Sequence, residues 1–435
     1  MKSHRRRRAA VLTMALAASL FTPVGAHSAE SGIDPRGGIT SPTLNQDGSV
    51  TALVAEPRDG TVEESRRIAM KRGAVADVSA ADLAKADETK KQLAVAAEEP
   101  PKELLDACLN SPDAKKVGGR VLFRHFWCQE NVVHGEYINT TTGKVEGEFT
   151  VKYRAAAIGH PFEREMRYYF HGDDYETDGS FSGWDKLSLK VHCTKLTAGC
   201  NNDREWVSKD IGDWDDGEWE RWVIGSDERV ATQQPEKVLR NIFTVSGYAV
   251  DSFGRSVELT SLTEPGFRCD SATYFNQEPR ACVFTDVLPR LNYTYGNNHD
   301  EVVTHIKTAY EHPELTDPRK EGKSVPGRFL LGSVDPRALH RVAYGGTTWA
   351  KNSAVKDKEC AKLPKKDGQD CDEFPFATTR EGAAFGDDNY SVKYVNESHN
   401  RSAGSALNTY YRWDRILYEE DPADGVLDEF WVSVP

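Results

Sequence analysis

Eight cysteines, spaced as four sequence-local pairs, constrain this chain more than any other feature of its 435 residues. The pairs are Cys108 and Cys128, Cys193 and Cys200, Cys269 and Cys282, and Cys360 and Cys371. An even number of cysteines in an exported chain points to disulfides. Neighbour pairing is the expectation, although about 105 connectivities exist for eight cysteines. Each such bridge would staple a hairpin or loop. No closely spaced CxxC pairs occur, which argues against a zinc ribbon.

The N-terminus reads as an export signal. Lys2 and Arg5 to Arg8 give a basic start, and Ala9 to Phe21 is an apolar run too short for a membrane span. Small residues follow, with Ala26 or Ala29 fitting a cleavage point, so residues 1–29 are expected to be removed. No later apolar run has the length of a spanning helix. The expected product is a secreted, extracellular protein with no membrane association.

The length implies more than one domain. Residues 30–101 hold no aromatic side chain and are rich in Ala, Glu, Lys and Asp. Such a segment buries little core, and a disordered or helical linker or pro-segment is expected. Residues 102–295 carry repeated period-two runs bounded by turn residues, among them Gly147 to Tyr153 and Glu165 to Phe170. These predict a β-rich, sandwich-like accessory region. Residues 296–435 are mixed. Glu301 to Tyr310 and Asn400 to Trp413 predict helices, while Ser391 to Val395 and Leu427 to Val434 predict strands. His305, on the first helix, reads as a structural histidine.

The formal charge of -13 is awkward for a protein that grips a phosphate backbone. The charge is uneven, however. Lys351, Lys356, Lys358, Lys362, Lys365 and Lys366 crowd the approach to the acidic element Asp370-Cys371-Asp372-Glu373-Phe374-Pro375. Farther on stands His399-Asn400-Arg401-Ser402-Ala403-Gly404. Carboxylate and amide oxygens suit a hard ion such as Mg2+ or Mn2+, and a guanidinium can fork onto phosphate oxygens. Each element alone has an ordinary reading: an acidic turn stapled by Cys371, and an asparagine helix cap. A third pattern, Asp174-x-Glu176-x-Asp178-Gly179 with Asp185, has the register of a calcium loop. Its third and twelfth residues are poor choices and its flanks read as strands. Neither a GxSxG elbow nor an HExxH motif is present.

Taken together, Asp372-Glu373-Phe374-Pro375-Phe376-Ala377, Glu381-Gly382, the strand Ser391 to Val395 and Asn400-Arg401-Ser402-Ala403-Gly404 resemble the secreted deoxyribonucleases of the NucA/NucB type. The resemblance covers roughly the last third of the chain. It implies an α+β fold whose C-terminal domain is a ββα-metal, His-Me finger-like nuclease. It implies a largely sequence-non-specific DNA endonuclease in which Asp372 takes the place of the usual histidine base. Asn400 would ligate Mg2+ or Mn2+ together with Asp372, Glu373 would assist, and Arg401 would hold phosphate. Relatives often carry an acidic residue before the asparagine; here it is His399, read as a surface residue. A further helix carboxylate is replaced by Asn408, Tyr410 and Tyr411, with Asp414 later. DNA is the expected partner, with an inhibitor protein if the chain is a toxin. The competing expectation is a cell-surface or polysaccharide-binding protein with a degenerate nuclease domain.

Overall fold

The computed structural model describes residues 39–44, 50–51, 58, 60–194, 199–231, 235–260, 265–330, 333–334, 337–418 and 428–435. The expected leader, residues 1–29, lies outside them. The described part of the N-terminal segment comprises β1 (Ile39–Thr40), α1 (Val62–Arg72), β2 (Val75–Val78) and α2 (Ala80–Val95). Thr61 caps α1, and Gly73 closes it at φ 64°, a left-handed turn that glycine enters without Cβ strain. A capping box between Ser79 and Asp82 opens α2.

Two helices stand where a disordered or helical linker or pro-segment is expected, and they are docked rather than loose. β2 is a ladder partner inside a sheet of the C-terminal half. Lys90 of α2 is 1% exposed, ion-paired with Glu278, and donates to the Arg412 carbonyl at 2.7 Å. Few apolar side chains are needed where the backbone pairs in a ladder and a buried ion pair docks the helix.

After α3 (Lys102–Leu109) come three long strands, β3 (Phe126–Asn139), β4 (Lys144–Gly159) and β5 (Glu165–Gly179). The β3–β4 turn is set by Asn139, whose side-chain oxygen accepts from the amides of Thr141 and Thr142 at 3.0 and 3.1 Å. There follow β6 (Lys186–Thr194), β7 (Glu220–Ser226), β8 (Leu239–Val250), β9 (Ser256–Thr260), β10 (Gly266–Asp270) and β11 (Ala281–Phe284). With β1 and several short strands they form one thirteen-stranded sheet. The sandwich expectation is therefore modified. Its two halves share a buried core of Trp127, Phe149, Tyr168, Trp222, Phe243 and Phe267. Yet the ladder is continuous from β3 through β1 and β9 to β8, so one sheet is folded on itself. The stretch with the register of a calcium loop, disfavoured for its strand-like flanks, has its first half in β5, where alternation places Asp174, Glu176 and Asp178 along one strand face rather than around a loop.

Side chains alternate across β3, β4 and β5, so their other face is also apolar. Phe126, Ala156 and Tyr169 from that face join Leu93 of α2 and side chains of the C-terminal half in a second core. That half holds β12 (Leu288–Asn292), α4 (Asp300–Glu311), β13 (Leu339–His340), α5 (Thr347–Cys360), β14 (Gln369–Phe374), β15 (Ser391–Asn396), α6 (Glu397–Trp413) and β16 (Glu429–Ser433). Its mixed sheet has the order β13, β16, β12, β2, with β12 parallel to both neighbours. The C-terminal body thus begins at β12, ahead of the expected boundary at residue 296. Helix α6 begins at Glu397, not Asn400, because Asn396 caps it by accepting from the Ser398 amide at 2.9 Å.

A buried charge network ties the two halves. Asp428 receives Arg124 at 3.2 Å and Arg268 at 2.5 Å, while Asp270 receives Arg268 at 2.6 Å and Arg415 at 2.7 Å. Burial would raise the Asp428 carboxyl, but the two guanidiniums outweigh it and hold it at about 2. All four nearest-neighbour disulfides are formed, and no cysteine is free. Among the described residues no helix is long and apolar enough to cross a membrane. Four disulfides are consistent with an extracellular protein.

Candidate active site

The site is built on the β14–β15 hairpin, whose antiparallel register runs from Gln369↔Asn396 to Phe374↔Ser391. Period-two alternation sorts the acidic element by face. Asp370, Asp372 and Phe374 share the face toward α4 and α6. Phe374 stacks edge-on against Tyr310 of α4 with ring centroids 5.2 Å apart. Cys371 and Glu373 face α5, where Cys371 is bonded to Cys360. The adjacent carboxylates of Asp372 and Glu373 therefore do not act as a pair on one surface.

Asp372 is buried, and its Oδ2 lies 2.6 Å from Nδ1 of His305. The opposite ring nitrogen of His305 lies 2.7 Å from the Ser391 hydroxyl. An ionised carboxylate only accepts hydrogen bonds, so Nδ1 donates to it. That fixes the imidazole between two strands of the hairpin, at 1% exposure. His305 is buried, as a structural histidine would be, and it fastens Asp372 to Ser391. Sequence reasoning missed it, and also Ser391, because their partners are distant in the chain. The one available signal was a histidine interrupting the apolar face of α4. Oδ1 of Asp372 makes no hydrogen bond among the described residues and is left for other chemistry.

Glu373 sits in a different environment. Its side chain is 15% exposed, with Lys356 of α5 at 3.9 Å, and its Oε1 accepts from the Ala377 amide at 3.0 Å. Burial pushes its carboxyl up to about 8; Lys356 pulls against that shift and the Asp372 charge adds to it. For Lys356, burial opposes the charge, but Glu373 and Asp357 outweigh it and the ammonium is raised.

Asn400 lies in the first turn of α6, half-buried, and its side chain makes no hydrogen bond among the described residues. Arg401 is exposed and lies 3.0 Å from Glu397 and 3.7 Å from Asp370, so it reaches the acidic face of β14. His399 is not a free surface residue. Its Nδ1 accepts from the Glu301 amide at 3.3 Å, while Glu301 accepts from the Asn396 amide at 2.8 Å. These bonds fasten the start of α4 to the start of α6. Asn408 is exposed, Tyr410 and Tyr411 are buried, and Asp414 is buried near Arg124 at the domain junction. The lysine run is a helix with its following turn, and Lys356 alone of that run contacts the hairpin acids at Glu373.

Asp372 on β14 and Asn400 in the first turn of α6 each carry an oxygen that makes no hydrogen bond among the described residues. Oxygen donors of this kind suit Mg2+ or Mn2+, ions that keep several waters and take one or two protein oxygens. The residues present therefore fit such an ion. No curated protein and no solved structure matches the chain. Residues 344–420, which take in α5, the hairpin and α6, match the family model Deoxyribonuclease NucA/NucB. The C-terminal region of this chain therefore carries a deoxyribonuclease domain of the NucA/NucB family.

Proposed function

We propose that this protein is a secreted, metal-dependent endonuclease that hydrolyses phosphodiester bonds of extracellular DNA without sequence preference. The observation that carries the reading is Asp372, locked by His305 through Oδ2 while Oδ1 is left for substrate chemistry. The hairpin followed by α6 supports a ββα, His-Me finger-like arrangement with an aspartate in the usual histidine's place.

In this reading Oδ1 of Asp372 draws the proton from the attacking water. His305 is a positioning residue that keeps the carboxylate at one angle, and Ser391 keeps the imidazole in place. Asn400, with Asp372 beside it, would hold Mg2+ or Mn2+, which would supply neutralisation of charge growing on the phosphate. Arg401 exchanges Glu397 and Asp370 for phosphate oxygens when DNA arrives. Glu373 assists from the α5 side, where it meets Lys356 and holds the Ala377 amide, and so the turn that follows β14. The lysines of α5 steer the backbone despite the acidic chain average. The leader-like N-terminus and four disulfides support secretion.

The test is plasmid cleavage by the mature protein with Mg2+ or Mn2+, with and without EDTA, and by Asp372→Ala. Metal-dependent cutting that the variant loses is the expected result. Absent cutting by the wild type, or unchanged cutting by Asp372→Ala, sinks the reading.

One observation favours a second reading. Trp184 of the β-rich half is 83% exposed, and Trp206, at 43%, stacks edge-on with Tyr248 at 5.0 Å. Exposed aromatic rings suit polysaccharide binding by an accessory region. Retention on cell-wall polysaccharide by a chain that cuts no DNA with any divalent ion would select this reading.

A further inference from the structure

The acidic stretch on β5 has no part in the nuclease site, and the register of the large sheet shows what surrounds it. Glu136 of β3 pairs with Glu148 of β4, and Glu148 pairs with Asp178 of β5. Three carboxylates thus stand in one cross-strand row. In the next row on the same face, Thr40 of β1 pairs with His134, His134 with Thr150, and Thr150 with Glu176. Like charges placed directly opposite each other work against strand pairing. Among the described residues no Lys or Arg forms an ion pair with Glu148 or Asp178.

The groups nevertheless converge. A ring nitrogen of His134 and one oxygen each of Glu136 and Glu148 lie within 4.8 Å of one another. His134 is 3% exposed, so its imidazole is held in place at the floor of the row. An independent observation comes from the neighbouring strand. Thr40, the register partner of His134, is 2% exposed, and its hydroxyl is buried with no hydrogen-bond partner among the described residues. A buried hydroxyl facing an ion-bound water would be satisfied there.

We propose that His134, Glu136 and Glu148 form a second divalent-cation site, remote from the nuclease hairpin, that takes Zn2+. Imidazole with two carboxylates is a zinc-type donor set, whereas calcium sites are built from oxygen alone. A fourth, water-filled position beside Thr40 completes a tetrahedron. The ion neutralises the carboxylate row and cross-links β3 to β4 next to β1, the strand that brings the N-terminal segment onto the sheet.

The experiment is calorimetric titration of the metal-free mature chain with Zn2+, and separately with Ca2+, using Asn400→Ala to disable the hairpin site. Asn400→Ala is expected to bind one equivalent of Zn2+. Adding Glu148→Gln to that variant is expected to weaken binding tenfold or more. Glu148 is partly exposed, so its amide variant keeps the fold, verified by circular dichroism, and in the wild-type background it keeps Mg2+-dependent DNA cleavage. The proposal is overturned if Asn400→Ala binds no Zn2+, if Glu148→Gln leaves the affinity unchanged, or if Ca2+ binds as tightly as Zn2+.

Discussion

Nδ1 of His305 lies 2.6 Å from Oδ2 of Asp372, although 67 residues separate them. The imidazole therefore decides where the other carboxylate oxygen points. His305→Ala is expected to lower kcat by about 10²-fold, the lower end of what positioned proton transfer contributes. Ser391→Ala should cost roughly tenfold, since it removes only the outer support of the ring. If His305 merely filled the core, His305→Ala would lower the melting temperature and leave kcat of the folded fraction near wild type. Steady-state kinetics with thermal unfolding on the same samples separates the two.

Glu373 gives the protein a pH signature. Its carboxyl is raised from 4.5 to about 8 in the fold, so the folded state holds a proton that the unfolded chain releases earlier. The stability tied to this group is complete below the ordinary glutamate range. It is lost progressively as pH rises from there through about 8. Glu373→Gln should flatten that decline. Urea unfolding midpoints across the interval check it, and parallel curves for both proteins would refute the assignment.

Arg401 is exposed, and its carboxylate partners are replaceable by phosphate. Arg401→Ala is expected to weaken DNA binding at low salt and to reduce the slope of log affinity against log salt by about 1. Melting should barely move, because exposed pairs contribute roughly 0–1 kcal/mol. Fluorescence anisotropy with labelled DNA at several salt concentrations measures both quantities.

Asp428 receives two buried guanidiniums, Arg124 from the large sheet's side and Arg268 from β10. Asp428→Ala strands Arg124, leaves Arg268 with Asp270 alone, and should destabilise the fold by about 3–5 kcal/mol. Replacing Asp428 leaves the hairpin untouched, so activity at low temperature should persist. Loss of activity with an unchanged melting temperature would contradict the junction role.

Much of the hairpin was legible because its signals are local. Alternation over Asp370 to Phe374 marks a strand, and the polar start and apolar stripe of Glu397 to Trp413 mark a helix. Cys269 and Cys282 are register partners across β10 and β11, so proximity in sequence found that bridge. What escaped depends on partners far along the chain. His305 looked structural because Ser391 lies 86 residues away. Segment 80–95 looked loose because its docking rests on Lys90 meeting Glu278, a pair separated by 188 residues. The helix was expected from Asn400, for which a cap was the ordinary alternative reading, yet Asn396 offers the cap chemistry one turn earlier. Periodicity reports which face of an element is apolar, and it is silent about which element that face will meet.

β16 has an inner place in its sheet, flanked by β12 and β13, with β2 beyond β12. Residues 429–433 thus complete a sheet whose other strands are synthesised earlier. A nascent chain that has not yet reached Asp428 leaves a gap between β12 and β13, and Arg124 and Arg268 lack their shared counter-ion. Loss of these few residues would therefore unseat the whole C-terminal sheet and the charge network behind it, and not merely shorten one edge.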